Sequence, residues 1–367
     1  MSGSWIESIT PAHVRGLDVY QPGKPIEELE RELGITGALK VASNENPLGP
    51  SPKAIDAMKQ ALGGVNLYPD AGGVVLRRAL AAKLGVGAER IILGGGSNEL
   101  LYQLVLAFCE PDDEVVSHEA AFLSYRLAAG VAGRRFVAAR ATAERSCDVD
   151  ALIASFGAKT KLVMLGTPNN PTGSVITRAE MARVIAALPA RALLVVDEAY
   201  GEYAAAWPEI DHARGEELWG DRRVIVLRTF SKIYGLAGLR VGYGVGDAAV
   251  IEMLGRVGRT FNVSTLAQVA ALAALDDDEH VARSAQQARR AIERLQSEVR
   301  AKVYRSLANF ALIETGRTSA PLYDALLKRG VIVRPMAAWG LPTCLRVSVA
   351  ADAQMPRVID ALNAVLA

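Results

Sequence analysis

Short apolar runs alternate with longer amphipathic stretches over most of the chain. Seven runs read as strands, at 91–93, 114–117, 135–138, 162–165, 193–196, 224–227 and 240–245. Several are rich in Val and Ile and lack the polar alternation of a sheet with one wet face, so most are expected in one buried sheet. Between them lie helix starts. Ser51 ahead of Pro52 reads as an N-cap followed by a first helical residue, and Thr177 with Glu180 forms a capping box ahead of MARVIAAL. Strands alternating with helices predict a parallel α/β layer structure.

After Val263 the texture changes. An Ala/Arg/Glu-rich helical stretch runs from Ser264 through Val299 and is followed by shorter mixed elements. This predicts three segments: an N-terminal arm over 1–41 with the Pro/Gly-rich YQPGKP, a large domain over 42–263 and a smaller one over 264–367. At 367 residues the chain has the length of about two domains. Apolar residues make up 50% and charged ones 22%, which excludes a disordered chain. Lys plus Arg exceed Asp plus Glu by 41 − 40 = +1, so no basic excess stands ready for a nucleic acid. Any bound anion must be met by local groups. No membrane-length apolar run or signal-peptide pattern is present, which makes the cytoplasm the default expectation. The 3 cysteines and 4 histidines are scattered, against a disulfide framework, a zinc site or a histidine dyad.

Ligands of open α/β sheets collect at the carboxyl ends of parallel strands, so the residues after each run carry the most information. The first run enters GGGSNELL, where Gly94, Gly95 and Gly96 permit close backbone approach and Ser97, Asn98 and Glu99 open a helix. A phosphate suits such a helix start. An ordinary helix cap explains it equally well. The fourth run ends in TPNNPTG, a rigid turn holding Asn169 and Asn170, which folding alone could require. The fifth leads into Asp197, Glu198, Ala199 and Tyr200, placing a carboxylate where burial demands a cationic partner, unless Asp197 simply caps a helix. The sixth gives LRTFSKIYGLAGLR, with Lys232 beside Ser231 and Arg240 eight residues on.

Together these residues meet the needs of a phosphorylated aldehyde cofactor. Lys232 would condense with the aldehyde, and Asp197 would keep a pyridine nitrogen protonated. Tyr200 with an asparagine would bind the ring oxygen. Arg240 and the amides of 96–98 would hold the phosphate.

At this point the chain resembles the aspartate aminotransferase-like, fold type I pyridoxal-phosphate enzymes, and within them the histidinol-phosphate aminotransferase family. The likeness spans nearly the whole chain. It rests on YQPGKPIEELERELG, VASNENPLGPSP, LYPD, ILGGGSNELL, TPNNPTG, VVDEAY, LRTFSKIYGLAGLRVGY, FNVSTLAQ, ANFALIE and GVIVRPMAAWGLPTCLRVSV. The resemblance implies a large domain with a mainly parallel seven-stranded sheet, a smaller α+β C-terminal domain and pyridoxal 5'-phosphate as cofactor.

It further implies that Lys232 is the Schiff-base lysine and proton shuttle, with Asp197 on the pyridine nitrogen and Tyr200 and Asn170 on the ring oxygen. Gly96, Ser97, Asn98, Ser231 and Arg240 would take the phosphate, and Phe122 would stack on the ring. Two departures accompany these roles: Ala120 and Ala121 replace the family's Pro-Thr, and Asn98 stands where an aspartate is common. Tyr68 of LYPD would reach the cofactor phosphate of the neighbouring subunit in a homodimer. Arg346 would clamp the carboxylate of the amino donor, and Arg334 and Tyr20 would lie near a substrate phosphate. Trp339 and Cys344 read as packing. The implied activity exchanges an amino group between L-glutamate and imidazole-acetol phosphate. An aromatic amino-acid aminotransferase, a threonine-phosphate-type decarboxylase and a non-catalytic binding protein are the competing readings.

Overall fold

All seven apolar runs enter a single sheet. The computed structural model describes residues 5–17 and 23–367. Across the sheet the order is Ile91–Gly94, Gly242–Val245, Val224–Thr229, Leu193–Asp197, Thr160–Gly166, Glu114–His118 and Arg135–Ala139. Gly242–Val245 runs antiparallel to both neighbours, and every other pairing is parallel. Alternate residues of the central strands feed different cores. Val163, Leu165, Leu194, Val196 and Val226 join one cluster, while Leu162, Met164, Val195, Ile225 and Leu227 join another. Both faces are therefore dry, which is why these strands read as unbroken apolar runs.

Two local expectations shift. The seventh strand begins at Gly242, not at 240, because Arg240 sits in the left-handed region at φ 52 and cannot extend a strand. The stretch after Ser264 is two helices, Thr265–Leu275 and Asp278–Glu298. Asp277 divides them by accepting the backbone N–H of His280 at 3.2 Å as N-cap of the second. The capping box at Thr177 and Glu180 is present. Ser51 and Pro52 do open the helix Pro52–Ala61, yet the Ser51 hydroxyl donates to Asp277 at 2.5 Å instead of capping it.

Beyond these helices an antiparallel sheet runs in the order Arg334–Pro335, Cys344–Ser348, Phe310–Glu314 and Lys302–Val303. Leu39–Lys40 pairs in parallel with Val331–Ile332. This ladder carries the segment from Val41 to Asn46 past the carboxyl ends of the large sheet.

Candidate active site

A cavity of about 510 Å³ lies at the carboxyl ends of the parallel strands. Asp197, Thr229, Ser231 and Lys232 line it from the large sheet, and Arg334, Trp339 and Arg346 line it from the C-terminal region. Lys232 follows the strand Val224–Thr229 and donates from Nζ to the Ser43 carbonyl at 3.1 Å. Burial, with Arg346 as the next cause, lowers its pKa to about 8. More of the amine is then neutral at physiological pH than for an exposed lysine.

Asp197 closes the strand Leu193–Asp197 and is buried. Its Oδ1 accepts from the Ala199 N–H at 3.1 Å and its Oδ2 from the Tyr125 hydroxyl at 3.2 Å. Among the described residues it forms no ion pair. Burial pushes its pKa up to about 6, against the pull of those two hydrogen bonds. Tyr200, three residues on, receives a hydrogen bond on its hydroxyl from Asn44 Nδ2 at 2.9 Å, and burial moves it up to about 12. Asn170 and Arg346 meet in the cavity, with Arg346 Nη1 donating to Asn170 Oδ1 at 2.6 Å. Arg346 Nη2 donates to the Ala42 carbonyl, also at 2.6 Å.

One end of the cavity is a polar cradle. Gly96, at φ +83, precedes the helix Ser97–Phe108, whose first-turn amides have no partner within the helix. A Cβ on Gly96 would stand 2.6 Å from Arg240 Nη2. Only glycine leaves room for that guanidinium. The left-handed backbone at Arg240 turns its side chain toward Ser231, whose Oγ accepts from Nη1 at 3.2 Å. Asn98 Oδ1 is buried with no hydrogen-bond partner among the described residues. Phe122 supplies an aromatic wall.

Over residues 36–362 the sequence matches the family Aminotransferase class I and II. The chain belongs to it. This aminotransferase is 44% identical to a histidinol-phosphate aminotransferase of an Anaeromyxobacter species, covering 98% of this chain and 99% of that one. It is also 44% identical to histidinol-phosphate aminotransferase 1 of Thiobacillus denitrificans, over 100% and 96% of the two chains. A crystal structure of the Sinorhizobium meliloti histidinol-phosphate aminotransferase in complex with pyridoxal-5'-phosphate superposes with a TM-score of 0.86 at 30% identity, covering 98% of each chain.

Not every expected residue reaches the aminotransferase cavity. Ser97, Asn98, Phe122, Asn170, Asp197, Tyr200, Ser231, Lys232, Arg240, Arg334 and Arg346 line it. Tyr68 does not. It is 82% exposed and stacks on Phe261 at 4.6 Å between centroids. Tyr20 lies outside the described residues. Trp339, expected only to pack, does pack with Leu312 and Met336 but also lines the cavity, with the Arg334 guanidinium 5.4 Å above its ring. Cys344 stays buried and donates to Glu314. Sequence reasoning missed Asn44 and Tyr125 as individuals. Asn44 stands inside the quoted VASNENP, while Tyr125, one turn after Phe122, carries no motif signal of its own.

Proposed function

We propose that this aminotransferase interconverts L-histidinol phosphate plus 2-oxoglutarate with imidazole-acetol phosphate plus L-glutamate, with pyridoxal 5'-phosphate as cofactor. The observation that carries the reading is one cavity joining a lysine of lowered pKa, a buried carboxylate without an ion pair and a glycine-opened cradle under Arg240. Three full-length or near full-length relatives bearing the histidinol-phosphate aminotransferase name support the choice of substrate.

The residues fit the cofactor on their own chemistry. Asp197 lacks a counter-charge, and a protonated ring nitrogen provides one. The cradle around Gly96 presents amide N–H groups, two hydroxyls and a guanidinium, a donor set for a phosphate. The bound cofactor supplies an aldehyde that takes up the amino group and a ring that draws off the electrons left when the α-proton departs.

The chain's own groups do the rest. Lys232 Nζ, its pKa lowered by burial, would hold the aldehyde of the bound cofactor and would be the base that moves the substrate's α-proton. Asp197 would face the cofactor's ring nitrogen and keep it protonated. Tyr200, its hydroxyl fixed by Asn44, would donate to the ring oxygen together with Asn170. Arg346 offers a planar fork to the substrate carboxylate, oriented by its bonds to Asn170 and Ala42. Arg334, held over Trp339 in the cavity wall, would meet the substrate phosphate.

Half-reaction kinetics that follow the cofactor's absorbance test the substrate. Histidinol phosphate should react at least about a hundredfold faster than phenylalanine at equal low concentration, because a site built to pair a phosphate rejects a ligand without one. Faster reaction with phenylalanine would instead establish an aromatic aminotransferase.

The active unit is a homodimer with shared sites. Tyr68 does not line the cavity of its own chain and is exposed, as are Leu67 and Val65 beside it, at 68% and 60%. The arm over 1–41, the large domain over 42–263 and the small domain over 264–367 are the units we assign to it. Mixing Lys232→Ala with Tyr68→Phe subunits, each severely impaired alone, should restore up to about half of wild-type activity per hybrid, since one site then holds both native residues. No recovery despite proven subunit exchange would exclude sharing.

A further inference from the structure

We propose that Tyr125 is a positioning residue for Asp197: its hydroxyl holds one carboxylate oxygen as an acceptor aimed at the cation that the cavity takes. The inference rests on the cofactor reading above and extends it to a residue outside every motif of the chain.

The geometry is specific. Tyr125 sits in the first turn of the helix Leu123–Val131 and is 1% exposed. Its hydroxyl donates to Asp197 Oδ2 at 3.2 Å, and it lines the cavity beside that carboxylate. The other carboxylate oxygen is held by a backbone N–H, that of Ala199, so Tyr125 supplies the side-chain donor. Room for the hydroxyl comes from Gly166 at the end of the neighbouring strand. A Cβ there would stand 3.3 Å from the Tyr125 oxygen and 3.2 Å from Asn169 Cα. The ring meets Phe122 edge to face, with centroids 5.7 Å apart at 87°. One helix turn therefore places both the cavity's aromatic wall and the donor to its carboxylate.

A hydrogen bond to an ionised carboxylate favours the ionised form. Burial already raises Asp197 to about 6, so loss of this donor moves it further upward. Below that pKa the carboxyl is neutral and cannot pair with a protonated ring nitrogen. The groups facing Asp197 are Tyr125, Tyr200, Glu198 and Lys232. Burial keeps both tyrosines neutral donors at physiological pH. Glu198 is raised by burial and paired with Arg228 at 2.8 Å, and Lys232 titrates on the alkaline side, near 8. Neither pairing is altered by removing one hydroxyl from Tyr125.

The test measures pyridoxal 5'-phosphate affinity of the cofactor-free protein from pH 5.5 to 9, for wild type and Tyr125→Phe, by tryptophan fluorescence quenching. Wild-type affinity should fall on the acid side near pH 6. In Tyr125→Phe that fall should begin about one pH unit higher, giving about a fivefold weaker affinity at pH 6 that converges with wild type above pH 8. In an Asp197→Asn background the same substitution should leave the profile unmoved. A loss equal at every pH, or no loss, would show that Tyr125 only packs, and overturns the inference. Wild-type protein that binds no pyridoxal 5'-phosphate overturns the cofactor reading itself, and this inference with it.

Discussion

Lys232→Ala is expected to reduce the rate of amino transfer by about 10,000-fold or more while the protein still folds and retains the cofactor. Alanine leaves the phosphate cradle and the Asp197 pocket intact but removes both the amine that condenses with the aldehyde and the base that moves the α-proton. The side chain makes one hydrogen bond, to the Ser43 carbonyl, and packs over the Tyr200 ring at 5.8 Å. Its truncation therefore disturbs little else. Single-turnover spectrophotometry separates the effects, because the bound cofactor should show the absorbance of a free aldehyde at every pH. Normal turnover would remove Lys232 from the mechanism.

Asp197→Asn is expected to slow α-proton removal by about 100- to 1000-fold, with a much smaller change in substrate affinity. The amide is nearly isosteric and keeps a hydrogen bond from Ala199, so the fold should survive. What it lacks is the negative charge that keeps a proton on the ring nitrogen while carbanion charge develops. A deuterium effect on the α-position should therefore grow in the variant as this step becomes limiting. An unchanged rate for the C–H step with only weaker cofactor binding would assign Asp197 to structure alone.

These two residues were legible without coordinates for the same reason. A strand buried on both faces tolerates no charge along its length, so Asp197 and Lys232, standing right after apolar runs, needed a special environment to explain them. The rigid TPNNPTG turn and the glycine-opened helix at Ser97 follow the same logic at two further strand ends. Arg240 was legible as a residue but not as a conformation. Nothing in GLAGLR announces the left-handed φ of 52 that turns its guanidinium toward Ser231 and Gly96.

The sequence by itself thus determined the α/β class, the strands of the large sheet, the cofactor chemistry and the family, because each depends on local pattern or on residues within one short motif. Only the tertiary structure decided how distant segments complete the site. Arg346 reaches the Ala42 carbonyl across 304 positions, Asn44 reaches Tyr200 across 156, and Tyr125 reaches Asp197 across 72. Such contacts leave no periodicity in the chain. The first two arise where the Leu39–Lys40 ladder with Val331–Ile332 and the smaller sheet bring separate segments to the strand ends, and the third where the helix Leu123–Val131 follows the strand Glu114–His118 to those same ends.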